Sequence, residues 1–407
     1  MCHRLAIDRI KYAAIYLWIF VLLVSMSVAY GRKSEGGVSS EPPSFTLQLP
    51  KGIPESLWRK LIPANNPLTK DKVALGEALY FDKRLSQDGT VSCATCHDPA
   101  MAFADSNPLA IGLGGKTGVR NTPTVLNAMF SDSQFWDGRA ASLEEQVKQP
   151  LINPVEMGMS SFDAAVARVA ASQEYRQKFS QVFGDEGITI DTFAKAIAAF
   201  ERTQLSGNAL FDRFISGDLH AITAAQKRGW ELFRGKAQCT ACHTFAASSP
   251  FFTDFKFHNT GIATRDRHFG YLAARASGIV SRSSNKQRAL DLLAHTDGFS
   301  ELGRFLVTKQ AKDIGSFKTP SLRDVELTAP YMHNAAEKTL LDVVKFYNRG
   351  GEKNTNLDRR IFALKLTDAE MSDIVEFLRA LTSDDVLKQA QLSTPQTRHP
   401  QSLSSRQ

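Results

Sequence analysis

Two pentapeptides hold the densest chemistry in the sequence, Cys93-Ala94-Thr95-Cys96-His97 and Cys239-Thr240-Ala241-Cys242-His243. In a C-x-x-C-H segment the two thiols can form thioethers to the vinyl groups of a haem, and the adjacent histidine can ligate the iron from the same side. The pattern therefore predicts two covalent haem c groups held by Cys93, Cys96, Cys239 and Cys242, with His97 and His243 as proximal ligands. A four-cysteine zinc site or two thioredoxin-like redox pairs are the other readings, and the trailing histidine in both segments disfavours them.

The opposite iron faces separate a carrier from a catalyst, because an electron-transfer haem is closed by a second side chain and a peroxide-activating haem needs an open face. No histidine lies between His97 and His220, so the first half cannot supply a second imidazole of its own. Met101, Met129, Met157 and Met159 remain candidate ligands there, although methionine is an ordinary packing residue. In the second half Leu340, Val343, Val344 and Tyr347 fall at i, i+3, i+4 and i+7 of one helical face that ends at Gly350-Gly351. Tyr347 on that pattern alone reads as a core tyrosine.

The elements that must position these groups carry a helical period. Ala164 to Val182 is largely free of Gly and Pro, Thr192 to Arg202 places Phe193, Ile197 and Phe200 on one face, and Ala369 to Leu381 does the same with Met371, Ile374, Phe377 and Leu378. No run of alternating β-branched residues competes. The expected class is mainly α: two cytochrome c-like domains, each around one haem, with long loops.

A weak repeat supports two such domains, since Gly76-Glu77-Ala78-Leu79-Tyr80-Phe81 precedes the first CxxCH and Gly229-Trp230-Glu231-Leu232-Phe233 the second. The expected division is 51–205 and 218–384, with the boundary in Leu205 to Leu219 beside Gly207 and Gly217. A flexible lead-in is expected over 30–50, from its Gly/Ser/Pro stretch, and a disordered tail over 385–407, from its Ser, Thr, Gln and Pro.

At the start, Arg4, Arg9 and Lys11 precede an uncharged run from Tyr12 to Gly31, which reads as an export signal over 1–29. Ser27-Val28-Ala29 offers a cleavage site, and the apolar run is also nearly long enough to stay as a membrane anchor. The body is expected in the periplasm either way. Cys2 belongs to the signal, so all the remaining cysteines lie in the CxxC pairs. Loss of Arg4, Asp8, Arg9 and Lys11 would lower the net charge from +7 to +5, which could steer an acidic protein partner. No clustered Lys/Arg run interleaved with aromatics points to nucleic acid.

These motifs, with Arg120-Asn121-Thr122-Pro123-Thr124, Gln134-Phe135-Trp136-Asp137-Gly138-Arg139, Asn153-Pro154-Val155-Glu156-Met157 and Phe317-Lys318-Thr319-Pro320-Ser321-Leu322-Arg323, resemble the bacterial diheme cytochrome c peroxidase superfamily from about Leu68 to Leu381. The resemblance implies a peroxide-dependent oxidoreductase. Gln146, Pro150 and Glu156 match the family's distal-pocket residues, with Glu156 as the general acid/base, and Trp136 matches the tryptophan between the haems. Asn121, Thr328 and Pro330 match positions around a calcium ion, while His258 and His333 match structural positions.

Two positions resemble the MauG-type branch, whose members oxidise residues of another protein. Ordinary peroxidases have a capping histidine eight residues before the Asn of the Arg-Asn motif, and this chain has Leu113; they offer methionine to the second haem where this chain has Tyr347. The expected substrates are hydrogen peroxide and a periplasmic protein. A departure stands beside this: the MauG enzyme that matures methylamine dehydrogenase has tryptophan two residues before its second CxxCH, and here that residue is Ala237. The alternatives are a cytochrome c peroxidase fed by a small cytochrome or copper protein, and a non-catalytic diheme electron carrier.

Overall fold

The computed structural model describes residues 45–265 and 269–393. The expected signal over 1–29 and the chain from 394 onward lie outside the described residues. The described residues are mainly α and form one compact unit.

In the first half the longer helices are α1 (Lys70–Tyr80), α2 (Leu143–Ile152), α3 (Phe162–Ala170), α4 (Gln173–Phe183) and α5 (Ile190–Glu201). The second half has α6 (Leu210–Ile215), α7 (Ala224–Arg234), α8 (Phe269–Arg282), α9 (Lys286–Ala294), α10 (Leu340–Asn348), α11 (Asp368–Arg379) and α12 (Asp384–Ser393). Hydroxyl caps set many of the starts: Thr69, Ser142, Thr189, Thr223, Thr339 and Thr367 each accept a first-turn backbone N–H that the helix cannot satisfy itself. The stretch from 164 to 182, largely free of Gly and Pro, lies in two helices, because Ser172 caps a new one at Gln173.

Each half is built on one close helix crossing. A Cβ on Gly76 of α1 would lie 1.9 Å from the Ala196 carbonyl oxygen of α5, and a Cβ on Gly229 of α7 would lie 1.9 Å from the Asp373 carbonyl oxygen of α11. Only glycine admits these approaches. Leu75, Leu79, Tyr80, Phe193 and Ile197 fill the first core; Phe211, Phe233, Phe252, Phe377 and Leu378 fill the second. A third cluster draws on both halves, with Phe130 stacked on Phe251 at 4.3 Å.

Three expectations about the organisation change. Leu47 is buried beside Ile53 and Trp58, so the expected lead-in over 30–50 is packed by its end. The boundary segment contains α6, whose Phe211 belongs to the second core, and the chain crosses between halves where Asn127 and Ser206 exchange hydrogen bonds of 3.0 Å. The tail expected from 385 is helical to Ser393, with Val386 buried in the first core; one well-placed valine anchors a polar segment that composition reads as unpacked.

One element was not anticipated. Strands β1 (Phe257–His258) and β2 (Phe317–Lys318) pair antiparallel and bracket a helical insert in which α8 and α9 close a separate apolar cluster of Ala276, Val280, Leu293, Leu302 and Phe305.

Candidate functional site

The two CxxCH segments are held by the same device. His97 Nδ1 lies 3.3 Å from the Phe103 carbonyl oxygen and His243 Nδ1 lies 2.8 Å from the Phe252 carbonyl oxygen. Both phenylalanines sit in the left-handed region, at φ 56° and 54°, which aims each carbonyl at an imidazole. The carbonyls of Pro123 and Pro320, from the two Thr-Pro motifs, also face the rings. With Nδ1 donating, Nε2 is the nitrogen free to ligate, and burial lowers both imidazole pKa values, favouring the neutral form that binds a metal. Cys93, Cys96, Cys239 and Cys242 are all free thiols. This donor set fits haem attachment at both places.

Around the first segment the sequence-distant groups converge. Gln146 and Pro150 are one turn apart on α2, and the chain then turns back so that the Met157 N–H donates to the Pro150 carbonyl, bringing Glu156 beside Pro150. Glu156 interacts electrostatically with Cys93, Cys96 and His97. Leu113 lies against this turn: its N–H donates to the Glu156 carbonyl at 2.9 Å, and its side chain packs over Gly158. The residue at this place is an aliphatic that offers iron no ligand.

Burial raises the Glu156 carboxyl, but a hydrogen bond and charge from His295, then Arg139 and His97, outweigh it and the net shift is downward. His295, from the end of α9, lies 3.2 Å from Glu156 Oε1. Arg139 Nη2 lies 3.3 Å from the same imidazole nitrogen, and Arg139 is fixed by Asp137 at 3.0 Å and Gln149 at 2.9 Å. Asp137 is fully buried between Arg120 and Arg139, which hold its carboxyl well below the ordinary range despite burial.

At the second segment, Tyr347 of α10 faces Cys239 and Cys242 closely enough for both to act on its phenol, whose pKa is pushed up chiefly by burial. Its hydroxyl has no hydrogen-bond partner among the described residues.

Trp136 links the halves. Its indole N–H donates to the Asn121 carbonyl at 2.8 Å, its carbonyl accepts from the Lys318 N–H at 2.8 Å, and its ring lies edge-on to His333 with centroids 6.5 Å apart. His333 stacks on Phe317 at 3.5 Å and bonds Glu301 at 3.0 Å, whereas His258 is held between Asp254 and Asp358.

Asn121 is joined to the loop of Thr328 and Pro330 through its N–H to the His333 carbonyl, 2.7 Å. Thr328 donates to Val325, and no hydrogen bond joins Asn121 to Thr328 or Pro330 among the described residues. Nor, among them, is any group of three or more His, Cys, Asp or Glu arranged to hold a metal ion.

Residues 70–220 match the family model of the di-haem cytochrome c peroxidases, and the chain is 39% identical over 323 residues to the methylamine utilization protein MauG of Methylorubrum extorquens, covering 79% of this chain and 81% of that one. The chain belongs to the di-haem cytochrome c peroxidase family. It is a peroxidase-type oxidoreductase, and the family implies two haem groups. The cytochrome-c peroxidase IdrP1 of Pseudomonas sp. is 33% identical over 91% of this chain and 93% of its own. Among solved structures, a MauG-like protein associated with microbial copper homeostasis superposes with a TM-score of 0.69 at 30% identity, covering 86% of this chain and 99% of that one.

Within this family frame, sequence reading missed Phe103, Phe252 and His295. The first two act through backbone carbonyls, which residue type does not reveal. His295 lies far along the chain from Glu156, in an insert with no motif; the only available signal was the lack of histidine from 98 to 219.

Proposed function

We propose that the chain is an exported, two-domain enzyme of the MauG type, which reacts with hydrogen peroxide at a first haem and draws electrons from a protein substrate through a second. The observation that carries this reading is Leu113 against Glu156: beside the first CxxCH segment a carboxylate is present, and the residue standing where ordinary peroxidases have the capping histidine is aliphatic.

Cys93 and Cys96 would hold the first haem by thioethers and His97 would ligate its iron, and Cys239 and Cys242 would hold the second, with His243 and Tyr347 as the residues that would ligate its iron. Bound haem iron supplies the two-electron reduction of peroxide and a store for the oxidising equivalents. Glu156 takes the proton from the near peroxide oxygen and returns it to the far one, which leaves as water. Gln146 and Pro150 shape the space beside it and restrict water. Trp136, bonded to both halves, provides the path between the sites, so the protein substrate need not reach the first one.

Asn121, Thr328 and Pro330 supply hard oxygen atoms of the kind calcium takes, and a calcium ion there would brace the loops around Trp136. The residues before 30 would direct export to the periplasm, by cleavage or as an anchor. A cytochrome c peroxidase fed by a small redox protein is the second reading, favoured by the family members that carry that name over nearly the whole chain.

Replacing Glu156 by Gln tests the assignment in the holoprotein. The peroxide-driven optical change should slow by about 100-fold or more, the scale of a lost general acid/base. An unchanged rate would remove Glu156 from the chemistry.

A further inference from the structure

The insert delivers the imidazole of His295 to the first site, and its hydrogen bonds restrict where protons can sit. His295 Nδ1 lies 2.8 Å from the Asp291 carbonyl oxygen, which only accepts, so Nδ1 carries a proton. In a neutral ring Nε2 is then an acceptor. It lies 3.3 Å from Arg139 Nη2, which only donates, and 3.2 Å from Glu156 Oε1. The contact with Glu156 is a hydrogen bond only if one proton lies between the two atoms, on the carboxyl or on the ring. Side-chain exposures of 21% for His295 and 30% for Glu156 leave the pair partly desolvated, where such a bond outweighs its value in water.

We infer that His295 is the positioning partner of Glu156, and that the two side chains share one mobile proton set in place by the insert. The inference rests on the acid/base role proposed for Glu156. In the scission of hydrogen peroxide the proton leaving the near oxygen joins this pair and a proton from the pair reaches the far oxygen as the O–O bond breaks and water departs. No proton is gained or lost overall, and the oxidising equivalents go to the haem site as in the family's activity. Arg139 from the Trp136 loop and His97, Cys93 and Cys96 from the first CxxCH segment are the other charged or titratable groups that interact with Glu156. Arg139 and His97 favour its ionised form, and the ring of His295 is the group placed within hydrogen-bond reach of its carboxyl oxygen to exchange a proton with it. Three separate parts of the chain thus meet at one carboxyl: the CxxCH segment, the loop of Asp137 and Arg139, and α9.

The test uses the full holoprotein as wild type, Glu156→Gln, His295→Gln and His295→Asn. Rates of the peroxide-driven optical change are measured across pH 5 to 9, with infrared spectra of the wild type over the same range. The expected result for both His295 variants is a loss of about tenfold or more at neutral pH, the scale of a misplaced catalytic group. The acid limb of the rate profile should also move to higher pH, since the group that holds Glu156 ionised is gone. A merely structural role would lower the rate without moving that limb, and such a result overturns the inference.

The infrared measurement needs no change at 295. The carboxyl band lost in Glu156→Gln should titrate in the same step as an imidazole band, and two independent steps overturn the inference even if the variants fail to fold. Conversion of a low-spin signal of the first haem to high-spin in His295→Gln would make His295 an iron ligand and overturn it too. A slow Glu156→Gln with unaltered His295 variants rejects the pair alone, whereas an unaltered Glu156→Gln rejects the acid/base reading beneath it.

Discussion

Gly76 and Gly229 occupy the same point of two helix crossings: each stands three residues before the leucine of the repeated motif, and each leaves 1.9 Å between its missing Cβ and a carbonyl oxygen of the helix it crosses. Alanine at either position must push the helices apart. Gly76→Ala and Gly229→Ala should each cost about 2–3 kcal/mol or more, the upper range for overpacking a tight core. Denaturant unfolding checks this, and an unshifted midpoint would show that the crossings are loose.

Asp212 and Arg323 form a two-pronged ion pair at 2.7 and 2.8 Å with almost no exposure, tying α6 to the second Thr-Pro loop. Asp212→Asn leaves a buried guanidinium without its counter-charge and should destabilise by about 3–5 kcal/mol. Replacing both by Leu and Met should cost less than the single change, because no uncompensated charge remains. Thermal unfolding of the two variants distinguishes a pair required for its charge from one required for its shape.

The attachment segments and the main helices were legible because they are written in local pattern. The CxxCH segments, the Gly-x-x-Leu repeat and the helical period over Thr192–Arg202 and Ala369–Leu381 each act within a few residues, and helices stand at 190–201 and 368–379. What escaped depends on residues meeting across long separations. Phe103 and Phe252 serve the histidines through φ angles that no side chain announces, and His295 reaches Glu156 from 139 residues away through an insert whose helices have only an ordinary amphipathic pattern. Val386 turns a polar segment into a docked helix by one contact, which composition averages away.

Glu201 is buried on α5 with Oε2 unpartnered among the described residues, and burial raises its carboxyl to about 8 against the opposing pull of Arg202. Between pH 4.5 and 8 the folded chain keeps a proton that the unfolded chain has lost, so this group makes stability fall as pH rises through that window. Glu201→Gln should remove that slope, and its advantage over wild type should grow towards a ceiling of about 4–5 kcal/mol at the alkaline end. Unfolding free energies at several pH values check this; parallel curves for the two proteins would contradict it.

Tyr347 faces Cys239 and Cys242 with a hydroxyl that no other described residue engages. If it ligates the second haem, Tyr347→Met should raise that haem's reduction potential, because a thioether favours the reduced iron over what an oxygen donor allows. The same change should shorten the life of the oxidised protein formed with peroxide. A redox titration that leaves both potentials unmoved would place Tyr347 in the packing of α10 and not on the iron.

An open first haem and a closed second one are tested by low-temperature electron paramagnetic resonance of the oxidised protein, followed by its optical spectrum after one equivalent of peroxide. One high-spin and one low-spin ferric haem are expected, with a long-lived doubly oxidised state formed without prior reduction. Two low-spin haems inert to peroxide would contradict it and make the protein an electron carrier.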